Sequence, residues 1–192
     1  MASDKQAQLD QIAAEIVKHN VCPDLAKTAK HLVFGEGSPD AKIIFIGEAP
    51  GKNEDITGRP FIGAAGKFLS DMLESISLKR EDVYITSILK YRPPNNRDPR
   101  PEEKTAFWPY LKAQLDIIQP VLIVTLGRHA ANCFLPELMI GKAHGQLQMW
   151  EGRYILALYH PAAALYNSSV RQTIMEDFAK IPAVIASIQN KT

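Results

Sequence analysis

The chain has 192 residues, of which 46% are apolar and 22% charged, and its formal net charge is +1. This balance predicts a single folded domain over residues 1–192 and excludes disorder, a fibrous repeat and a broad basic face, although a local basic loop is compatible with it. Two cysteines, Cys22 and Cys133, are too few for a disulfide scaffold or a four-cysteine metal site. Neither a membrane span nor a signal peptide is visible, so we expect a cytoplasmic protein with free thiols.

Helical and strand patterns alternate along the chain. Apolar residues from Leu9 to Val17 predict a first helix capped by Ser3, and helical spacing recurs over 68–76, after Pro101 and over 174–185. Short apolar runs predict buried strands at 42–46, 83–86, 121–124 and 154–158. This order favours a single α/β domain with a central, parallel, four-stranded sheet flanked by helices.

Three segments leave the predicted strands at one edge of the sheet, which is where ligands of such sheets bind. They are the turn 47–51, the loop 87–100 and the pair 160–161. Glu48 lies in the first, and taken alone it is better explained as a solvated turn residue than as a catalytic carboxylate. His160 follows a buried strand and is either satisfied by the backbone or a hydrogen-bond donor to an anion formed in a pocket.

Two further features each allow a structural and a functional interpretation. Phe61 is fixed between Pro60 and Gly63 and is either a core anchor or a platform on which a flat base stacks. The proline-rich segment after the second strand is either a solvated loop or a rigid phosphate-binding loop, and it carries three arginines: Arg92, Arg97 and Arg100.

Read together, four motifs resemble those of the family 4 uracil-DNA glycosylases, and the resemblance spans the chain from about Cys22 to the last helix. The motifs are Gly47-Glu48-Ala49-Pro50-Gly51 with Glu54-Asp55, Gly58-Arg59-Pro60-Phe61-Ile62-Gly63, Lys90-x-Arg92-Pro93-Pro94-Asn95-Asn96-Arg97, and His160-Pro161-Ala162-Ala163. The resemblance implies an α/β/α sandwich and an enzyme that hydrolyses the N-glycosidic bond of uracil in DNA, leaving an abasic site for base excision repair.

The resemblance also implies roles for individual residues. A flipped-out uracil would stack on Phe61, and His160 would donate a hydrogen bond to the uracil oxygen that gains charge. Glu48 would be the second catalytic residue, and Glu54 would exclude the thymine methyl near carbon 5. The base-binding set is then Gly47, Ala49, Glu54, Phe61 and Ser87. The expected DNA contacts are Arg92, Asn96, Arg97 and Arg100, together with Ala164 or Leu165 as a wedge in the loop 160–166.

The sequence departs from the family where the family binds a [4Fe–4S] cluster through four cysteines. The matching positions are His19, Cys22, Tyr91 and Phe107, so three of the four thiols are lost. Tyrosine and phenylalanine do not replace two thiolates, and Cys133 matches no ligand position. We therefore predict no cluster and no other cofactor, with Tyr91, Phe107 and Trp108 filling the space as an aromatic plug.

Two other departures concern the site and its surroundings. Ser87 stands where the family has asparagine, whose amide offers a donor and an acceptor to the uracil edge. His144 stands where arginine is expected, without a functional account. Three hypotheses remain: a uracil-DNA glycosylase, a relative that excises another deaminated base, and a DNA-binding protein with little catalysis. Under each of them we expect a monomer that binds DNA and no membrane.

Overall fold

Residues 4–190, which the computed structural model describes, form eight helices and six strands. They are α1 (Asp4–Lys18), α2 (Pro23–Thr28), β1 (Glu36–Gly37), β2 (Ile43–Gly47), α3 (Lys52–Thr57), α4 (Ala64–Ser75), β3 (Tyr84–Ser87), α5 (Pro101–Ile118), β4 (Leu122–Leu126), α6 (Arg128–Phe134), α7 (Ile140–Ala143), β5 (Leu147–Trp150), β6 (Arg153–Leu158) and α8 (Ser168–Gln189). Short 3₁₀ turns cover Arg80–Asp82, Pro94–Asn96 and Pro161–Leu165. The predicted cap Ser3 lies outside the described residues.

The strands form one mixed sheet in the order β1-β3-β2-β4-β6-β5. The four predicted strands are mutually parallel at its centre, while β1 and β5 pair antiparallel at the two edges. The prediction of an α/β fold is thus confirmed, but the sheet has six strands and not the four that were predicted. β1 has only two residues and β5 is only partly buried, so neither shows the apolar run by which a buried strand is recognised.

Helices cover both faces of the sheet because alternate residues of each central strand point to opposite sides. Ile44 and Ile46 of β2 join a core cluster with α1 and α5 on one face. On the other face Ile43 and Phe45 pack with α4 and α8, where the rings of Phe45 and Phe178 stack at 5.7 Å. No helix among residues 4–190 is long and apolar enough to cross a membrane.

Parallel register brings the carboxyl ends of the central strands together. Gly47 at the end of β2 lies opposite Ser87 at the end of β3. Gly127, just after β4, has a φ of +91°, and a Cβ there would lie 3.1 Å from the Cβ of His160. The segments that follow β2, β3, β4 and β6 therefore meet at one edge.

Candidate active site

A cavity of about 330 Å³ opens at this edge, at the carboxyl ends of β2, β3 and β6. Parallel sheets bind ligands at this position, and the volume lies within the range of small-molecule pockets. Eight of the predicted site residues line it: Glu48, Ala49, Glu54, Phe61, Ser87, Asn96, Arg97 and His160. The other five, Gly47, Arg92, Arg100, Ala164 and Leu165, lie outside its wall.

Phe61 forms one wall of the cavity in a strained backbone conformation. Its φ is +50°, a left-handed value that typically costs a residue with a side chain about 1–3 kcal/mol. A Cβ on Gly66 would lie 1.8 Å from the Phe61 carbonyl oxygen, and one on Gly47 would lie 2.5 Å from the ring. Both glycines are therefore required for this close packing, and Gly47 contributes to the site through the ring that rests on it.

Glu54 binds the backbone beside Phe61. Its Oε1 accepts hydrogen bonds from the N–H groups of Ile62 and Gly63, both at 2.9 Å. Gly63 is the N-cap residue of α4, so the carboxylate lies at the positive end of that helix. Glu54 thus borders the cavity and at the same time holds the turn that presents Phe61.

His160 lies at the start of the 3₁₀ turn that follows β6, and its tautomer follows from one contact. Its Nδ1 accepts a hydrogen bond of 3.1 Å from the Ala162 N–H. A backbone N–H can only donate, so Nδ1 carries the lone pair and the proton of the neutral ring is on Nε2. Burial lowers the pKa of His160 to about 4, against the opposing charge of Glu54. The neutral ring, 5.7 Å from the Phe61 ring, is therefore a hydrogen-bond donor at the cavity.

Glu48 belongs to a charged cluster beside the cavity. Its Oε2 lies 3.9 Å from His129 Nε2, and that nitrogen lies 3.2 Å from Asp98 Oδ2. Lys104 Nζ is 3.4 Å from His129 Nδ1, and Arg128 pairs with Asp98 at 3.5 Å. Burial raises the pKa of Glu48, His129 acts against this rise and Asp98 adds to it. Glu48 is thus a stronger base than an exposed glutamate.

Ligand atoms of Glu48, Asp98 and His129 lie within 4.8 Å of one another. A divalent cation would nevertheless fit poorly here, because two positively charged side chains already contact these residues. Lys104 lies next to His129, and Arg128 pairs with Asp98. The arrangement is better described as an ion-pair network.

Ser87 is buried and its side chain borders the cavity, with no hydrogen-bond partner for its hydroxyl within residues 4–190. Directly behind it, the fully buried Lys90 donates from Nζ to the Ser87 carbonyl, Thr86 Oγ1 and Gln114 Oε1, at 2.6–2.7 Å. Burial lowers the pKa of Lys90, whereas three acceptors favour its ammonium form. The end of β3 is therefore held rigidly, and the hydroxyl of Ser87 remains available to a ligand.

The proline-rich loop contributes less free positive charge than its three arginines imply. Arg97 borders the cavity but forms a two-pronged ion pair with Glu103 at the start of α5. Arg92 Nε donates to Asn96 Oδ1 at 2.7 Å, and Arg100 is exposed at the N-cap of α5. Contacts within the loop and with α5 thus hold it in place, and Arg92 and Arg100 do not line the cavity.

Of the two candidates for the wedge, Ala164 and Leu165, only Leu165 lies at the surface of the protein. Pro161 and Ala164 are both buried, because residues three apart lie on the same side of a 3₁₀ turn. Ala164 packs in the core with α4 and α8. The residues that protrude from this turn are Leu165, which is 40% exposed, and Tyr166, which is 91% exposed.

His144 has a structural explanation. Its Nδ1 lies 2.7 Å from Oδ2 of Asp177, a buried carboxylate on α8 that also binds Lys180. The imidazole lies against the ring of Tyr159, with centroids 4.8 Å apart. His144 therefore ties α8 to the residue that precedes His160.

The positions matching the family's cluster ligands are filled by packed side chains. Tyr91 and the fully buried Phe107 meet edge to face with centroids 6.0 Å apart, in the same cluster that Cys22 and Trp108 contact. Cys22 Sγ lies 4.0 Å from the Glu103 carbonyl oxygen, and burial raises the pKa of this thiol to about 11. His19 instead contacts Tyr110 at the surface. One protonated thiol and two aromatic rings do not fit a four-thiolate cluster.

Several residues at the site were absent from the sequence analysis. Arg128 and His129 follow β4 at the same sheet edge as the predicted segments, so the strand-end argument applied to them as well. Arg80 and Glu36 hold the Phe61 turn from distant segments, and no local pattern marks them. Chemically, the cavity offers a neutral imidazole donor, the half-buried carboxylate of Glu48 and an aromatic wall, which suit a flat, uncharged ring that becomes anionic on bond cleavage.

Comparisons with known proteins agree with this description. The family model for the uracil DNA glycosylase superfamily matches residues 34–180. A type-4 uracil-DNA glycosylase of Archaeoglobus fulgidus is 49% identical over 182 residues, which are 90% of this chain and 91% of the relative. Type-4 uracil-DNA glycosylases of Saccharolobus solfataricus and Thermotoga maritima are 47% and 40% identical, each over 93% of this chain and over 87% and 95% of the relatives.

Proposed function

Since the chain belongs to the uracil DNA glycosylase superfamily, we propose that it excises uracil from DNA by hydrolysing the N-glycosidic bond, as an enzyme of base excision repair. The observation that carries this proposal is the neutral His160, with Nδ1 occupied by a backbone N–H, beside the aromatic wall of the cavity. We further propose that residues 1–192 form one domain that acts as a monomer, and that the two free cysteines fit a reducing cytoplasm.

Base recognition in this proposal depends on the walls of the cavity. A uracil rotated out of the helix stacks on Phe61, and its polar edge meets backbone groups around Glu48 and Ala49. Glu54 excludes a methyl group at carbon 5, because its carboxylate is fixed by two backbone N–H groups and cannot easily withdraw. The close Gly47–Phe61 contact supports this arrangement, since it sets the depth to which a base enters.

In the chemical step, the bond between uracil N1 and deoxyribose C1′ breaks and its electron pair leaves with the base. His160 Nε2–H hydrogen-bonds the uracil oxygen on which the negative charge accumulates. Water adds to C1′ and gives a proton to the Glu48 carboxylate. The high pKa of Glu48 makes it a stronger base, and its activity is lost as the pH falls through that pKa because the carboxylate becomes protonated.

We propose that this chain is a family member without the iron–sulfur cluster. The contact between Tyr91 and Phe107, both largely buried beside Cys22, supports this because the rings occupy two of the four ligand positions. In this proposal, apolar packing rather than a cluster connects the first helices to the segment 91–107. None of the catalytic steps proposed above involves these residues.

DNA binding is assigned to the rim of the cavity. We propose phosphate contacts for Arg92, Asn96 and Arg100. Arg97 borders the cavity, but its guanidinium is paired with Glu103. Leu165 is proposed as the wedge that supports the extruded state, because it is the exposed apolar side chain of the turn after His160.

Ser87 favours a second candidate, a glycosylase with relaxed specificity for deaminated bases. The hydroxyl of Ser87 contacts a base through a single oxygen, whereas the family's asparagine amide presents a donor and an acceptor on two separate atoms. With this single contact, discrimination between uracil and other oxo-bases is weaker.

The test of the proposed function is an excision assay. Labelled single- and double-stranded oligonucleotides carry uracil, hypoxanthine, xanthine or cytosine at one position, and abasic products are cleaved with alkali. We expect cleavage at uracil in the wild-type protein and a much slower cleavage in Glu48→Gln. Cleavage at hypoxanthine or xanthine in preference to uracil establishes the second candidate. Binding without cleavage at any base contradicts both.

The substitution Ser87→Asn tests the importance of the missing amide. We expect the single-turnover rate on uracil to rise about 5–100-fold, which corresponds to regaining a buried hydrogen bond of roughly 1–3 kcal/mol. Ser87→Ala is the matched control and should lower the rate, since the remaining hydroxyl is then lost. A rate for Ser87→Asn at or below that of the wild type would show that the amide is not what this site lacks.

A further inference from the structure

The strained conformation of Phe61 is maintained by hydrogen bonds to four backbone groups between Pro60 and Gly63. Arg80 donates two of these hydrogen bonds: its Nη2 binds the Pro60 carbonyl oxygen at 2.7 Å, and its Nη1 binds the Phe61 carbonyl oxygen at 2.9 Å. The next two N–H groups donate to Glu54. A guanidinium on one side and a carboxylate on the other therefore hold the turn in the left-handed geometry that Phe61 would otherwise avoid.

Arg80 is itself fixed by a carboxylate from the edge of the sheet. Glu36 Oε1 lies 2.7 Å from Arg80 Nη2 and 3.1 Å from Nε, and both side chains are largely shielded from solvent. Glu36 belongs to β1, which pairs with β3 at Ile85, five residues beyond Arg80. The short edge strand thus brings the carboxylate to Arg80, which binds the backbone of the Phe61 turn.

Arg59 provides an internal comparison. It binds the same carboxylate, with Nε 2.8 Å from Glu36 Oε2, but its side chain is 62% exposed. Within residues 4–190 its guanidinium bonds to Glu36 alone, whereas that of Arg80 also bonds to the two carbonyl oxygens. Two arginines therefore share one partner, and of the two only Arg80 binds the backbone of the turn that carries Phe61.

We propose that Arg80, oriented by Glu36, is a positioning residue that holds the Phe61 ring where the extruded base stacks. The inference rests on the proposed function and extends it to a residue that lies outside the cavity wall. The planar guanidinium suits this role because its two terminal nitrogens reach adjacent carbonyl oxygens while Nε faces the carboxylate. A lysine ammonium offers three donors from a single point and cannot reproduce that fork.

Single-turnover excision of uracil in Arg80→Gln and Arg59→Gln gives the first measurement. We expect Arg80→Gln to lower the rate about 10–100-fold, the range for losing charge-assisted hydrogen bonds at a strained turn. Arg59→Gln should stay within about twofold, as expected for an exposed ion pair. DNA affinity should change by less than about threefold in both, because neither side chain lines the cavity. Arg80→Lys should fall between the wild type and Arg80→Gln.

A double-mutant cycle with Phe61→Ala separates positioning from a general structural effect. If Arg80 acts through the ring, adding Arg80→Gln to Phe61→Ala should cost no more than about twofold. An equal loss in both backgrounds overturns the proposal, because Arg80 would then act independently of Phe61. That outcome leaves the proposed function intact as long as the wild-type protein excises uracil.

Hydrogen exchange decides the question without reference to activity. The N–H groups of Ile62 and Gly63 should exchange faster in Arg80→Gln than in the wild type and Arg59→Gln, while amides of α5 keep their rates. Equal exchange in all three proteins contradicts the positioning role. If the wild-type protein excises no uracil but exchange changes as expected, the proposed function fails and the Arg80–Phe61 contact stands.

Discussion

Replacing His160 with alanine is expected to lower single-turnover uracil excision about 10²–10³-fold, because one donor to the developing anion is removed. The geometry explains why this donor is effective. The Ala162 N–H occupies Nδ1, so the ring does not have to reorganise before it donates from Nε2. DNA affinity should change little, since the hydrogen bond strengthens only as the base becomes charged. Rates and affinities of the variant and the wild type are measured on the same uracil-containing oligonucleotide.

Two variants control this result. His19→Ala removes an exposed imidazole far along the chain from the site and should retain the wild-type rate within about twofold. His160→Gln retains an amide donor and should fall between the wild type and His160→Ala. A rate for His160→Ala within about threefold of the wild type would remove His160 from the mechanism.

The low pKa of His160 has a consequence for the pH profile. Burial holds this pKa at about 4, so the ring stays neutral through the usual assay range and its titration does not affect the rate there. A decline at moderately acidic pH is instead expected from Glu48, whose pKa is raised by burial and whose carboxylate is the proposed base. The acidic limb should therefore disappear from the residual activity of Glu48→Gln and persist in His160→Gln.

Replacing Phe107 with alanine is expected to lower the free energy of unfolding by about 3–5 kcal/mol, the usual cost of emptying a buried phenylalanine site. Phe107 is completely buried and packs edge to face against Tyr91 where the family has cluster ligands. For a domain of this size the loss corresponds to roughly 6–20 °C in Tm. Urea unfolding and thermal melts measure the two quantities.

Phe107→Leu is the matched control and should cost much less, since most of the apolar volume remains. Well below its Tm, Phe107→Ala should retain excision activity, because the side chain does not border the cavity. A loss below about 1 kcal/mol would show that the aromatic contact does not hold this region together. Purified wild-type protein with a brown iron–sulfur chromophore would directly contradict the proposal that no cluster is bound.

Local sequence patterns predicted the central strands and the strand ends that form the cavity. Apolar runs at β2, β3, β4 and β6 are recognisable because both faces of these strands are buried. The same argument missed β1 and β5, whose positions depend on pairing with β3 and β6 rather than on their own composition. The burial of Ala164 was not predictable from the sequence, because the segment interpreted as a loop forms a 3₁₀ turn in which residues three apart lie on the same side.

By itself, the sequence determined the order of the four central strands and the motifs at their carboxyl ends, because these depend on residue identity and spacing. The expected loss of three of four cluster cysteines came from the family resemblance. Only the tertiary structure decided which nitrogen of His160 carries the proton, how Glu48 meets His129 and Asp98, and how Arg80 holds Phe61. These contacts join residues distant in the chain, and their geometry depends on how the sheet brings its edges together. The cysteines illustrate the difference: their number and positions led to the prediction that no cluster forms, while the structure shows how Tyr91 and Phe107 pack against each other in the core cluster that Cys22 contacts.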